Sequence, residues 1–169
     1  MHYRNFRFAP ALFAVLTLIA LSVGSARADA PEGYTFLRYD EGLRTAKREG
    51  KRVFLYLGRY GCGFCAKTNK ESFSNAELRK LYSEHYVLVY VDAESGRRLQ
   101  LPSGETITEL ELGARMNTMV TPYFLYLEAD GQIIHKAPGF QTIQSFLEYD
   151  RYIHGGHYKQ QTLVQFLAK

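Results

Sequence analysis

Residues Lys51–Lys70 read KRVFLYLGRYGCGFCAKTNK, and the fold turns on them. Val53-Phe54-Leu55-Tyr56-Leu57 is an apolar run without polar alternation, the pattern of a strand covered on both faces. Gly58 and Gly61 interrupt it, and Cys62-Gly63-Phe64-Cys65 then opens a helix. A helix that begins at a cysteine offers its unpaired backbone N–H groups and the positive end of its dipole to the sulfur. That environment lowers a thiol's pKa and makes it a nucleophile at neutral pH. The second cysteine shares the helical face and can attack a mixed disulfide formed by the first. The stretch is a candidate dithiol/disulfide active site.

These are the only two cysteines in the 169-residue chain. A structural disulfide is the other reading for a cysteine pair in an exported protein. Closing so short a loop removes little chain entropy, however, so the spacing favours chemistry over stapling. Export itself is expected from the N-terminus. Arg4 and Arg7 precede an apolar run over Ala11–Val23 broken only by Thr17 and Ser22, and Ala26-Arg27-Ala28 forms an A-x-A site. The reading is a signal peptide over 1–28, cut after Ala28, because the run falls short of the roughly 20 residues of a spanning helix. An uncleaved anchor is the rival. Cleavage leaves 29–169 as one domain, with chain enough for a real core and no stable membrane insertion. It also removes most of the basicity. The chain has 21 Lys+Arg against 17 Asp+Glu; without Arg4, Arg7 and Arg27 that becomes 18 against 17. A nearly neutral domain points away from nucleic acid and anionic membrane surfaces as partners.

Taken in order, Tyr34–Leu37 reads as a short strand or extended arm. Asp40 is the expected N-cap of a helix over Glu41–Glu49 closed by Gly50. After the Cys62 helix, Ser74-Asn75-Ala76-Glu77 has the form of a capping box for a helix to Glu84. Tyr86–Val91 is a second strand, and two strands joined by helical segments suggest a parallel pair. Arg98–Leu101 and Glu105–Ile107 flank a turn and suggest a small hairpin, with Thr108 or a neighbour capping a short helix to Met116. Tyr123–Leu127 and Gln132–Lys136 flank Asp130-Gly131, a hairpin signal. Helices over Ile143–His154, with Ile143, Phe146, Leu147 and Ile153 inward, and over Lys159–Ala168 complete the chain, separated by Gly155-Gly156.

With these residues in place, the chain resembles the thioredoxin superfamily: a CxxC at a strand-to-helix junction, then Thr121-Pro122, then a hairpin, a glycine and a helix. More narrowly it is similar to exported SoxW-type thioredoxin-related proteins. That likeness rests on Gly61-Cys62-Gly63-Phe64-Cys65, Glu71-Ser72-Phe73-Ser74, the strand ending Val91-Asp92, the insertion over 93–117 and the His157-Tyr158-Lys159 tail. The resemblance implies an α/β thioredoxin-like fold: a central mixed sheet flanked by helices, a small insertion before a cis-proline and an extra C-terminal helix. It implies Cys62 as the attacking thiolate and Cys65 as the resolving thiol. Pro122 would be cis and face the pair. Thr121, Pro122, Gly63 and Phe64 would bind an extended substrate segment as an added strand. No cofactor is implied.

The implied function is a periplasmic thiol–disulfide oxidoreductase, a reductase of protein disulfides fed by a membrane thiol carrier. The sequence also departs from thioredoxins proper. Gly61 replaces the tryptophan before the first cysteine, Phe64 replaces the proline inside the motif, and Tyr56 stands where a buried aspartate assists the resolving thiol. Tyrosine, with an ordinary pKa of about 10, is a poor base. Arg59 is either a stabiliser of the Cys62 thiolate or a solvated side chain. The competing reading is a non-catalytic metal-binding or interaction module. For zinc, Cys62 and Cys65 give two ligands, and His154 and His157 are the one close histidine pair, across a glycine turn. His85 and His135 read as surface or capping residues.

Overall fold

The computed structural model describes residues 30–168; the expected signal segment over 1–28 lies outside the described residues. Strand β1 (Arg52–Gly58) occupies the interior of a four-stranded sheet. It pairs in parallel with β2 (Tyr86–Asp92) and antiparallel with β5 (Tyr123–Leu127), and β6 (Ile133–Pro138) pairs antiparallel with β5 at the edge. The sheet is therefore mixed, in the order β2-β1-β5-β6. A separate antiparallel hairpin, β3 (Arg98–Gln100) and β4 (Thr106–Thr108), lies in the insertion.

The apolar runs have an alternation of their own. On β1, Phe54 and Tyr56 face one core while Val53, Leu55 and Leu57 face the other. β5 repeats this with Phe124 and Tyr126 against Leu125 and Leu127, and β2 with Tyr86, Leu88 and Tyr90 against Val87, Val89 and Val91. The strand period of two thus sorts side chains into a largely aromatic face and a largely aliphatic one. The aromatic face is covered by α2 (Gly63–Thr68), the π-helical turn Asn69–Phe73 that continues it, α3 (Ala76–His85) and α5 (Ile143–His154). Phe54 alone meets Phe73, Tyr82, Phe124 and Phe146 at ring separations of 4.9 to 6.1 Å, three of them edge-on. The aliphatic face is covered by α1 (Tyr39–Glu49) and by the insertion, through Leu99, Ile107 and Leu112 of α4 (Glu109–Arg115). Helix α1 approaches β2 so closely that a Cβ on Gly42 would lie 2.1 Å from a Val89 methyl, which explains a glycine inside a helix.

Several boundaries differ from those read in the sequence. Asp40 does not cap α1. The helix begins two residues earlier, at Tyr39 after Arg38, and Asp40 sits in its first turn, paired with Arg38 and Arg44 at 3.7 and 3.4 Å. A carboxylate there complements the dipole without capping. The capping box at Ser74 is displaced: Asn75 caps α3 by accepting from the Leu78 amide, while the Ser74 hydroxyl donates back to Lys70. Tyr34–Leu37 is an arm rather than a strand, joined to β2 by a single parallel bridge at Leu37 and Val89. The last helix, expected over Lys159–Ala168, is shorter and starts later. His157–Lys159 forms one 3₁₀ turn, and α6 (Leu163–Leu167) starts at Thr162, whose reciprocal capping box with Gln165 went unread. Tyr158 in that turn donates to Glu128 and accepts from Arg52, pinning the tail to the foot of the sheet. On α5, Phe146 and Ile153 are buried as expected, whereas Ile143 and Leu147 are half-buried.

Among the described residues, the histidines make no cluster with the cysteines. His85, at the end of α3, bonds Asp150 at 2.8 Å and stacks on His154 with ring centroids 3.5 Å apart. His157 instead stacks on Phe166. Among the described residues no group of three metal-ligating side chains converges, and no helix is long and apolar enough to cross a membrane.

Partial burial, then the neighbouring His85, push the His154 imidazole below its ordinary pKa of 6.5, with Asp150 opposing and Arg52 adding to the shift. The folded state therefore binds fewer protons at this site than the unfolded chain. The stability it confers is complete above pH 6.5 and is lost as pH falls below that value. Urea unfolding at pH 7.5 and pH 5 should show a lower midpoint at pH 5 and a smaller drop in His154→Gln. The difference should stay under about 1 kcal/mol, because His154 is solvent-facing.

Candidate active site

The antiparallel register of β1 and β5 ends at Leu57 opposite Tyr123, so the loop after β1 and the loop before β5 leave the sheet side by side. The first carries Cys62, the second Thr121 and Pro122. Gly61, with φ of +67°, makes the turn into α2, a backbone state that the tryptophan of thioredoxins proper would not readily adopt. Cys62 then sits at the N-cap of α2, and its sulfur accepts from the Cys65 amide at 3.1 Å. The helix start expected at the CxxC is thus present, with the cysteine itself as the cap.

Cys62 and Cys65 are joined as a disulfide. Their environments are unequal: Cys62 retains 4% of its surface and Cys65 none. An incoming group therefore meets Cys62 first. Across the gap, the Thr121 hydroxyl donates to the Cys62 sulfur at 3.3 Å, and the Thr121 carbonyl oxygen lies 3.4 Å from the same atom. The Thr121–Pro122 peptide bond is cis. Two donors, the Cys65 amide and the Thr121 hydroxyl, are therefore aimed where a thiolate's charge would reside. The carbonyl is the acceptor for a protonated thiol at the same position.

Of the residues singled out in the sequence, Cys62, Cys65, Thr121 and Pro122 come together. Gly63 and Phe64 follow Cys62 on the first turn of α2, with Phe64 63% exposed. A Cβ on Gly63 would meet nothing within 4 Å, so that side of the disulfide is open. Arg59 faces away towards the insertion, paired with Glu94 at 3.4 Å. Tyr56 is fully buried among Phe36, Phe73, Tyr90 and Phe124, and its hydroxyl donates to Asn69 at 3.3 Å. It fills the aspartate position with an aromatic ring belonging to the core. The buried tyrosines of that face, Tyr82 and Tyr126 among them, are pushed by burial well above the ordinary phenol pKa.

Three features escaped the sequence reading. The Thr121 hydroxyl reaches the sulfur, where only its backbone was expected to matter. Tyr60, Met119 and Val120 stand exposed within two residues of Cys62 or Thr121. The insertion is also bonded to both loops. An apolar Met-Val pair directly before a Thr-Pro, outside any periodic segment, was the available signal for the second feature.

Replacing Thr121 by valine keeps the side chain's shape and removes one of the two donors. The Cys62 titration midpoint in the reduced protein should rise by about one pH unit, the scale of one hydrogen bond to a charged acceptor. The pH dependence of iodoacetamide alkylation at Cys62 measures it.

The comparisons with known proteins agree with this fold. The thioredoxin-like domain family matches residues 39–154. An uncharacterised protein of Archaeoglobus fulgidus is 29% identical over 87 residues, which make up 49% of this chain and 67% of that one. Among solved structures, a thioredoxin-fold protein from Helicobacter pylori superposes with a TM-score of 0.62 at 23% identity, covering 71% of this chain and 81% of its own. A putative disulphide-isomerase from Bacteroides thetaiotaomicron gives 0.57 at 21% identity, covering 76% and 97%. At these identities the structural likenesses speak to the fold. With a family match over more than half of its length and that fold around a CxxC disulfide, the chain belongs to the thioredoxin-like domain family.

Proposed function

We propose that the protein is an exported thiol–disulfide oxidoreductase that reduces protein disulfides in the periplasm, of the SoxW type. The observation that carries this reading is the pairing of a surface-reachable Cys62 with a sealed Cys65, under two hydrogen-bond donors aimed at the first sulfur. The fold family and the putative disulphide-isomerase among its structural relatives support the chemistry. The signal-like N-terminus supports the compartment.

The cycle balances as two exchanges. In the reduced protein the Cys62 thiolate attacks a substrate disulfide; a Cys62–substrate bond forms and the displaced substrate sulfur leaves as a thiolate that takes up a proton. Cys65, deprotonated, then attacks the Cys62 sulfur and releases the second substrate sulfur as a thiol. Two electrons have passed to the substrate, and the protein is left with the Cys62–Cys65 disulfide. A membrane thiol carrier would return the two electrons. Thr121 and Pro122 would hold the substrate backbone beside the disulfide, with Gly63 and Phe64 as the opposite wall.

A Cys65→Ser variant should hold substrates as mixed disulfides on Cys62, identifiable by mass spectrometry, whereas Cys62→Ser should hold none. The direction of transfer is read from the reduction potential. A value near −270 mV, about that of thioredoxin, fits a reductase, and one near −120 mV, about that of a strong oxidase, reverses the assignment. Stoichiometric copper or zinc on anaerobically purified protein, without disulfide turnover, would favour the metal-binding module instead.

A further inference from the structure

The chain between β2 and β5 grips both loops that border the disulfide. At its start, the Ala93 amide donates to the Gly58 carbonyl at 2.8 Å, and Glu94 pairs with Arg59 at 3.4 Å. Both partners lie on the run that leads to Cys62. At its end, α4 closes onto Thr118, whose amide and hydroxyl both donate to the Gly113 carbonyl, at 3.1 and 2.7 Å. There is no slack in that closure: a Cβ on Gly113 would lie 3.1 Å from the Thr118 hydroxyl. Lys136 on β6 donates to the Met116 carbonyl at 3.0 Å, and Asn117 turns the chain with a left-handed φ of 55°. Asparagine is among the few side chains that tolerate this conformation. Directly after this tied turn, Met119 and Val120 project into solvent, 88% and 49% exposed.

An unbranched thioether placed in water at the tip of a fixed turn contributes nothing to the core. Its position is two residues from Thr121, whose hydroxyl and carbonyl both lie within 3.4 Å of the Cys62 sulfur. We propose that the insertion is a selectivity device: it holds Met119 as an apolar knob beside the disulfide, selecting polypeptide segments with a large apolar side chain next to the reacting cysteine. This rests on the site being a centre of disulfide exchange, and it adds no step to that chemistry. The occupant follows from the site. A partner here must present a sulfur to Cys62, and the exposed large apolar side chains within two residues of Cys62 or Thr121 are Tyr60, Phe64, Met119 and Val120. A charged flank laid against these four would lose hydration without gaining a partner from them. Methionine adapts to many shapes, so the selection is for apolar bulk rather than one sequence. Thr118 and Lys136 are positioning residues that act through the Met119–Val120 turn.

The test uses the full chain, reduced, with two disulfide-bridged peptides of equal length. One has leucine and phenylalanine beside its cysteines, the other serine and aspartate. The protein should reduce the first about tenfold faster in kcat/KM, the order expected for partly burying one large apolar side chain. Met119→Ser should bring the ratio to about twofold or less, and Met119→Leu should restore it, as expected when apolar bulk is what is selected. Thr118→Val should lower the ratio through a raised KM for the apolar peptide; a merely structural loss would slow both peptides alike. Equal rates on the two peptides, or a wild-type ratio in Met119→Ser, would overturn the inference while leaving disulfide exchange in place. Reduction of neither peptide would overturn the exchange reading and this inference with it.

Discussion

One alignment governs the molecule: the antiparallel pairing of β1 with β5, in register from Val53 opposite Leu127 to Leu57 opposite Tyr123. Cys62 lies just beyond one end of this ladder and Thr121 just before the other strand begins. The sheet's backbone hydrogen bonds therefore bring the sulfur and the threonine to the same end of the molecule, and the loops complete their approach. A slip of one residue would turn Phe54 and Tyr56 onto the aliphatic face and separate the two loops at once. The chemistry at the rim and the packing in the core are consequences of the same register.

That register is enforced by side-chain kind as much as by apolarity. Rings collect on the side of α2, α3 and α5, and aliphatic chains on the side of α1 and the insertion. The two faces bury different shapes, so a flipped strand would put rings where Val87, Val89 and Leu55 interlock. Close packing makes such mismatches costly. Tyr56 belongs to this scheme. Its place in the ring layer explains why an aromatic residue stands six positions ahead of Cys62, and its hydroxyl finds Asn69 on the π-helical turn.

Much of this was legible in the residues. Val53–Leu57 and Tyr86–Val91 announced the interior strands, Asp130-Gly131 the hairpin, Thr108 the start of α4, and Cys62 the helix that it caps. Ile143–His154 agrees at both ends. What escaped was short-range competition. Asp40, Ser74 and Thr162 are all able to cap, and which of them does so depends on a neighbouring residue's hydrogen bonds rather than on residue type alone. The aromatic and aliphatic alternation was hidden because a hydropathy reading scores Phe, Tyr, Leu and Val alike. At the site, residue type and order pointed to Cys62, Cys65, Thr121 and Pro122. The Thr121 hydroxyl, the outward Met119 and the Arg59–Glu94 pair are three-dimensional facts without periodicity, and Arg59 turned out to be occupied by the insertion.

The excursion over 93–117 is fastened at both roots, and its far turn, Pro102-Ser103-Gly104, is exposed at all three residues. Mechanically it is a strut with an outward handle. Residues added or removed at that handle leave the fastenings untouched, whereas a change at Ala93, Gly113 or Thr118 is transmitted to one wall of the cleft. The segment can therefore drift in length at its tip while its two ends stay under tight geometric constraint.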